Sequence, residues 1–177
     1  MPSAQPRHLA LRAFTLVELI AVIVVLGVLS AVAASRISVI PDNRGSMAAQ
    51  ILLRDLAYAR ERAMNTGVIH WVDFNTTNHS YTILAEQPPS FGYTSRLAII
   101  DPARGVSFQR FFNRDDFVGV TITANTLASN PIGFNRLGRP LNTSAVAITA
   151  DSTITLTGGR IITITGSTGA LQRSGNP

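Results

Sequence analysis

The stretch FTLVELIAVIVVLGVLSAVAAS, residues 14–35, is a long, mostly apolar run with a single ionisable side chain, Glu18. At about 1.5 Å of rise per residue, a helix of this length reaches roughly 33 Å, enough to cross a hydrocarbon core of about 30 Å. A removable secretory signal is the weaker interpretation, because its apolar region would be shorter and would end in a small-residue cleavage site. The sequence therefore predicts a transmembrane helix over 14–35, directly behind a basic segment that contains Arg7 and Arg12.

Glu18 is the most informative residue of this segment. A carboxylate inside a spanning helix costs about 2.5 to 3.5 kcal/mol at the helix centre and less near an end, where Glu18 lies. Something should offset that cost. One interpretation is that the side chain extends to the lipid headgroups. The residues around Glu18 supply the other interpretation.

The run AFTLVELI, from Ala13 to Ile20, closely resembles the prepilin signal of type IV pilins and type II secretion pseudopilins. In that family a small residue precedes a phenylalanine, and a glutamate is the fifth residue after the cleavage site. The resemblance implies that prepilin peptidase removes a leader, 1–13, by cutting after Ala13, and then methylates the new amino group of Phe14. It also implies that Glu18 pairs with the amino terminus of an adjacent subunit in a filament. Such a pair in low dielectric offsets the burial cost of both charges.

Two positions depart from the family pattern. Ala13 stands where glycine is usual, and Ser35 stands where many members have a proline that kinks the helix. Pro41 comes six residues later, so the sequence PDNRG, 41–45, is predicted to break the helix because these residues favour turns. Beyond that break, an amphipathic helix is predicted over 46–65, within an N-terminal helical region that spans 14–66.

The amphipathic helix is predicted from an apolar stripe at helical spacing. The stripe consists of Ala48, Leu52, Leu56, Ala59 and Ala63. Ser46 is the predicted N-cap, and Gly67, just past the last periodic residue, is the predicted stop. This helix should cover a sheet.

The remainder, 67–177, is predicted to be a β-rich head. Alternation from Val68 to Phe74, the turn residues NTTNHS and then YTILA indicate a hairpin. A long loop with one or two short strands is expected over 86–116. Four β-rich segments follow, and a frayed tail is expected from Gln172. The β-rich segments are VGVTITA (118–124), AVAIT (145–149), STITLT (152–157) and RIITIT (160–165).

The Gly158-Gly159 pair between the last two of these segments is a strong hairpin signal. Helix first and strands after predicts an α+β fold, in which a long hydrophobic N-terminal helix precedes a globular head of antiparallel sheets. The order also resembles the GspH and FimT class of minor pilins and pseudopilins. The resemblance rests on FNRLGRP from Phe134 to Pro140, the glycine hairpin, and ITITGSTGAL from Ile162 to Leu171.

This second resemblance implies a minor, structural subunit of a type II secretion pseudopilus or a type IV pilus, and the sequence leaves the choice between them open. The implied partners are prepilin peptidase, other pilins or pseudopilins, and an inner-membrane assembly platform. The implied location is the bacterial inner membrane, crossed once, with the head in the periplasm. No cofactor is implied.

Catalytic and metal chemistry find little support in the residues. His70 and Asp73 are three apart, so in an alternating strand they fall on opposite faces. Asp115-Asp116 lacks the spacing of a calcium loop, and no phosphate-binding G-x-x-x-x-G-K-[ST] motif occurs, which excludes an assembly motor of that type. The chain is therefore predicted not to be an enzyme and to hold no metal.

DNA binding by a pilus tip is the alternative function. All 15 basic residues are arginine against 10 acids, giving a formal net charge of +5. From Phe117 onward Asp151 is the only acid, and phosphate binding rewards a cluster of arginines. The candidates in that region are Arg136, Arg139 and Arg160, with Arg173 further along. They act together only if folding brings them onto one face.

Overall fold

The computed structural model describes residues 15–34, 39–87 and 93–175. The contacts divide the chain into two compact units, with the boundary between Val39 and Ile40. The first unit contributes one helix to the described residues, α1 (Leu16–Ala34). The described residues contain no helix that combines the length and the apolar character needed to cross a membrane.

The second unit contains all but the first residue of a long helix, α2 (Val39–Thr66), which starts seven residues before the predicted helix start at 46. The predicted break at 41–45 is therefore wrong. Pro41 is the third residue of α2, and in the first helical turn its missing N–H removes no helical hydrogen bond. Ser46 lies inside the helix and is not its N-cap.

The predicted stop is confirmed, because α2 ends at Thr66 and Gly67 adopts φ +71° while its N–H donates to Ala63 O at 3.0 Å. The predicted apolar stripe of α2 is confirmed as well. Its members have no exposed surface, and Ala49 joins them: Ala48, Ala49, Leu52, Leu56, Ala59 and Ala63. They share one hydrophobic core with residues of both sheets of the head. The helix therefore covers the sheets, as expected of a helix with one apolar face.

The first sheet has six strands in the order β3-β2-β1-β6-β7, with β4 also paired to β2. Its strands are β1 (His70–Asn75), β2 (Ser80–Glu86), β3 (Arg96–Ala98), β4 (Gln109–Phe111), β6 (Ile132–Phe134) and β7 (Pro140–Leu141). The predicted β1–β2 hairpin is confirmed, with Asn75 paired to Ser80 at its closed end. The expected long loop contributes β3 and β4, both on the same strand, β2.

The second sheet has four strands in the order β10-β9-β8-β5. They are β5 (Ile122–Thr126), β8 (Ser152–Leu156), β9 (Arg160–Ile164) and β10 (Leu171–Ser174). The predicted glycine hairpin is confirmed: Gly158 and Gly159 adopt φ +80° and +71° between β8 and β9, a conformation that glycine tolerates without strain.

Two predictions for the head are wrong. The segment AVAIT, 145–149, is not a strand, because the side chain of Asn142 accepts the N–H groups of Ser144 and Val146, each at 3.0 Å, and so bends the backbone into a turn. The tail is not frayed at Gln172, because β10 pairs with β9 from Leu171 to Ser174. Both errors come from contacts that alternation alone does not encode.

Candidate assembly interface

The surface of α1 is apolar on every side. Side chains from Thr15 to Val32 are exposed, and the large apolar ones have exposed fractions between 47% at Val22 and 75% at Val17. A helix that is apolar all round is normally buried in a larger core or a membrane. This surface is therefore available for contacts with other molecules.

Glu18 lies in the first turn of α1. Its N–H is 3.1 Å from Thr15 O and 3.3 Å from Thr15 Oγ1, so Thr15 caps the helix. The T-x-x-E spacing of a capping box is visible in the sequence, but sequence reasoning missed it. A carboxylate here also gains about 0.3 to 1 kcal/mol from the helix dipole. Ala13 and Phe14, the predicted cleavage and methylation residues, lie outside the described residues.

No ion pair involves Glu18 among the described residues. Glu18 borders a shallow depression on α1 whose other residues are Ala21, Val22, Val25 and Leu26. One negative charge thus lies at the N-terminal end of an exposed apolar surface. That arrangement suits docking to a molecule that brings an apolar surface and a positive charge.

The three arginines proposed for DNA binding are not on one face. Arg160 is 3% exposed, and its guanidinium donates to Ser46 Oγ at 2.9 Å and to Thr157 O at 3.2 Å. It connects α2 to the β8–β9 hairpin, so its inclusion in a surface site is wrong. Arg136 and Arg139 are exposed and share one turn between β6 and β7.

His70 and Asp73, considered above as a catalytic pair, are three residues apart on β1. Burial lowers the pKa of His70, whose Nδ1 is 2.9 Å from Val68 O, and burial raises the pKa of Asp73. Asp115 and Asp116 are exposed in a short 3-10 helix, 115–117. Within 15–34, 39–87 and 93–175, no group of three or more histidine, cysteine, aspartate or glutamate side chains is placed to hold a metal.

A buried ionic cluster is the feature that sequence reasoning missed. Asp55 of α2 is 2% exposed and accepts hydrogen bonds from Tyr81 Oη at 2.8 Å, from Arg110 Nε, and from Arg54 at 3.2 Å. Burial, with the nearby Asp55 carboxylate, raises the pKa of Tyr81 well above its usual value, so this hydroxyl keeps its proton. No local motif marks these residues, because they come together only on folding.

The same cluster extends to a second carboxylate. Asp101 is 1% exposed, lies 2.7 Å from Arg104 Nε, and shares Arg110 with Asp55 through a 3.6 Å contact. Although burial opposes its charge, the hydrogen bond that Arg110 donates to the Asp55 carboxylate raises the pKa of Arg110. The cluster connects α2, β2, β4 and the loop at 101–104. Because its charges pair with one another inside the head, we assign it to stability.

No known protein-family model matches the sequence, and no curated protein matches it. The structure is similar to two structures of the minor pseudopilin EpsH from the type II secretion system of Vibrio cholerae, at TM-scores of 0.54 and 0.56 and identities of 13% and 11%. These alignments cover 75% and 76% of this chain and 97% and 96% of those chains. The type IV minor pilin FimU of Pseudomonas aeruginosa aligns at a TM-score of 0.52 and 18% identity, over 75% of this chain and 90% of FimU. The chain therefore has the type IV pilin-like fold, as predicted.

Proposed function

We propose that this protein is a minor, non-enzymatic subunit of a type II secretion pseudopilus or a type IV pilus. One observation carries the proposal: α1 exposes apolar side chains on all sides and holds one carboxylate, Glu18, in its first turn. In a filament, neighbouring apolar helices would cover that surface. The pilin-like fold of the head supports the same role, because the proteins with this fold named above are described as a minor pseudopilin and a type IV minor pilin.

The mechanism follows from the charge. Prepilin peptidase cuts after Ala13 and methylates Phe14, while the segment 14–35 anchors the subunit in the inner membrane with its head in the periplasm. When an assembly platform brings subunits together, Glu18 of one subunit pairs with the new amino terminus of its neighbour. An unpaired carboxylate among apolar helices is costly, so the pair fixes the axial register of the docking helix.

The leader is tested by the intact mass of the protein recovered from its own host. We expect a chain that begins at Phe14 and carries one additional methyl group. A protein that keeps 1–13 in cells with active peptidase would contradict the proposal. Replacing Ala13 with a bulky residue should block the cut. The genes beside this one distinguish a secretion system from a pilus.

Of the three arginines proposed for DNA binding, only Arg136 and Arg139 are exposed. We therefore expect duplex DNA to bind no more tightly than it binds to a generic basic protein. If the pilus did capture DNA, removing both arginines would abolish binding, and each lost phosphate contact would lower the slope of log affinity against log salt by about 0.9. A titration at two salt concentrations separates the outcomes.

A further inference from the structure

The turn at 135–139, between β6 and β7, is held rigidly by its own hydrogen bonds. Asn135 Oδ1 accepts the N–H groups of Leu137 at 2.9 Å and Arg139 at 3.0 Å, while Gly138 N–H donates to Asn135 O at 2.8 Å. Gly138 adopts φ +73°, a conformation that favours glycine. The sequence NRLGR therefore sets this backbone locally.

The rest of the head adds further constraints on the same turn. Arg60 of α2 donates from Nε to Gly138 O at 3.0 Å and from Nη2 to Thr168 O at 3.4 Å. A Cβ added to Gly169 would lie 2.1 Å from Gly138 O, so the two glycine backbones are in close contact. The turn is thus ordered before any partner binds, which lowers the entropy cost of binding.

What this rigid turn presents to solvent is unusual for a surface loop. Leu137 is 65% exposed between the exposed side chains of Arg136 and Arg139. Met64 of α2, 39% exposed, lies beside the turn, because its Sδ would be 3.0 Å from a Cβ on Gly138. In the described part of the chain, neither Arg136 nor Arg139 forms an ion pair.

The turn at 142–146 provides an internal control, because its hydrogen bonds are the same. Asn142 Oδ1 accepts the N–H groups of Ser144 and Val146, each at 3.0 Å, and Ala145 N–H donates to Asn142 O at 2.9 Å. Ala145 occupies the position equivalent to Gly138 of the first turn and also has a positive φ, +59°. The second turn presents Thr143, Ser144 and Val146, with no charge.

The chemistry of the first turn selects its partner. Arginine and methionine are enriched at protein interfaces, and an exposed leucine gains by burial in an apolar recess. Two arginines that form no ion pair with any described residue favour a surface with carboxylates. Nucleic acid would use the arginines but would leave Leu137 and Met64 in contact with water.

We propose that the 135–139 turn, with Met64, docks onto an acidic surface with an apolar centre on another subunit of the same filament. Leu137 enters the apolar centre, and Arg136 and Arg139 pair with the carboxylates around it. The proposal rests on the proposed function. It adds a contact between heads to the contact that α1 makes.

The test uses the full chain in its own host, with a photocrosslinking amino acid at position 137 or, as the matched control, at position 144. We expect an adduct from 137 that maps to an acidic segment of another filament subunit, and little from 144. Arg136→Gln with Arg139→Gln should reduce the adduct by about tenfold, because interface arginines are frequent hot spots. Thr143→Glu with Val146→Glu makes the same change in net charge on the control turn and should leave the adduct unchanged.

The presence or absence of the wild-type chain in sheared filaments distinguishes a failure of the docking inference from a failure of the proposed function. If the chain is incorporated but 137 reacts no more than 144, the docking inference is wrong and the proposed function stands. If the chain is absent from filaments, both fail. An adduct removed by nuclease, or one confined to lipid, would also overturn the docking inference. Unchanged fluorescence of Trp71, the single tryptophan, verifies that each variant is folded.

Discussion

In α1 the large apolar side chains are at least 47% exposed, whereas the apolar stripe of α2 has no exposed surface. The acids differ in the same way. Asp55 of α2 is buried and receives hydrogen bonds from Tyr81, Arg110 and Arg54, while Glu18 of α1 forms no ion pair among the described residues. The apolar stripe of α2 and its Asp55 carboxylate both find partners within the head. The apolar surface of α1 is exposed and Glu18 forms no ion pair among the described residues, which fits the assembly role that we propose for this helix.

The largest effect on stability is expected from Asp55→Ala. It leaves Arg110 without one of its two carboxylate partners and Tyr81 without its acceptor, and breaking a buried ion pair costs about 3 to 5 kcal/mol. Urea unfolding of the full chain in detergent, followed by Trp71 fluorescence, measures the loss. Glu18→Ala is the matched variant on α1 and should leave the midpoint unchanged. Equal midpoints for wild type and Asp55→Ala would contradict our account of the cluster.

Leu56→Ala should come next, with a loss of about 3 kcal/mol, since Leu56 is fully buried and its truncation leaves a cavity. Leu26, on α1, is 57% exposed. Leu26→Ala should therefore leave the unfolding of the head unchanged and reduce assembly instead. If Leu26→Ala destabilised the head as much as Leu56→Ala, the contrast between the two helices would be false.

Gly45→Ala should produce a smaller loss, of about 1 kcal/mol. Alanine improves helix propensity by about 0.5 to 1 kcal/mol, but its Cβ would lie 2.8 Å from Arg160 Nη1 and 3.2 Å from Thr157 O. Displacing Arg160 weakens its hydrogen bond to Ser46, and bonds of charged groups contribute about 1.5 to 3 kcal/mol. Gly27 of α1 has no atom within 4 Å of an added Cβ, so Gly27→Ala is the control. A stabilised Gly45→Ala head would show that Arg160 moves without cost.

A small effect of pH is expected from His70. Burial lowers its pKa in the folded head, so between the ordinary pKa of about 6.5 and the lower folded value the unfolded chain binds more protons. Stability should therefore fall as the pH falls through this range and then level off. His70→Gln should remove that slope from unfolding midpoints measured between pH 7.5 and pH 5, to be sampled at about half-unit steps. If the slope were unchanged in His70→Gln, titrating groups other than His70 would be its cause.

Local patterns predicted the elements that local forces decide. The stripe from Ala48 to Ala63 and the Gly158-Gly159 turn each encode their own conformation. The start of α2 at Val39 was missed because proline and glycine were assumed to break a helix. Pro41 is tolerated in the first turn, and Gly45 is needed where Arg160 approaches.

For the same reason, some residues of the candidate site were predicted from the sequence and others were not. Glu18 was found because its environment, an apolar run, is adjacent in sequence. The inward position of Arg160 depends on Ser46, 114 residues away, and the Asp55 cluster joins α2 to a loop beyond residue 100. Such long-range pairs have no local signature. The exposed Leu137 is likewise visible only once the Asn135 turn and Arg60 are in place.

In the proposed filament, Glu18 acts between subunits. Glu18→Gln removes the charge and keeps the shape of the side chain. The most direct test of this role is therefore the amount of mature Glu18→Gln protein in the membrane and in sheared filaments. We expect normal cleavage after Ala13 and normal membrane content, because removing a charge eases insertion, with a loss from filaments on the order of tenfold. If Glu18→Gln entered filaments at the wild-type level, the other interpretation would be favoured, in which Glu18 extends to the lipid headgroups. Loss of the variant from the membrane would refute the mechanism.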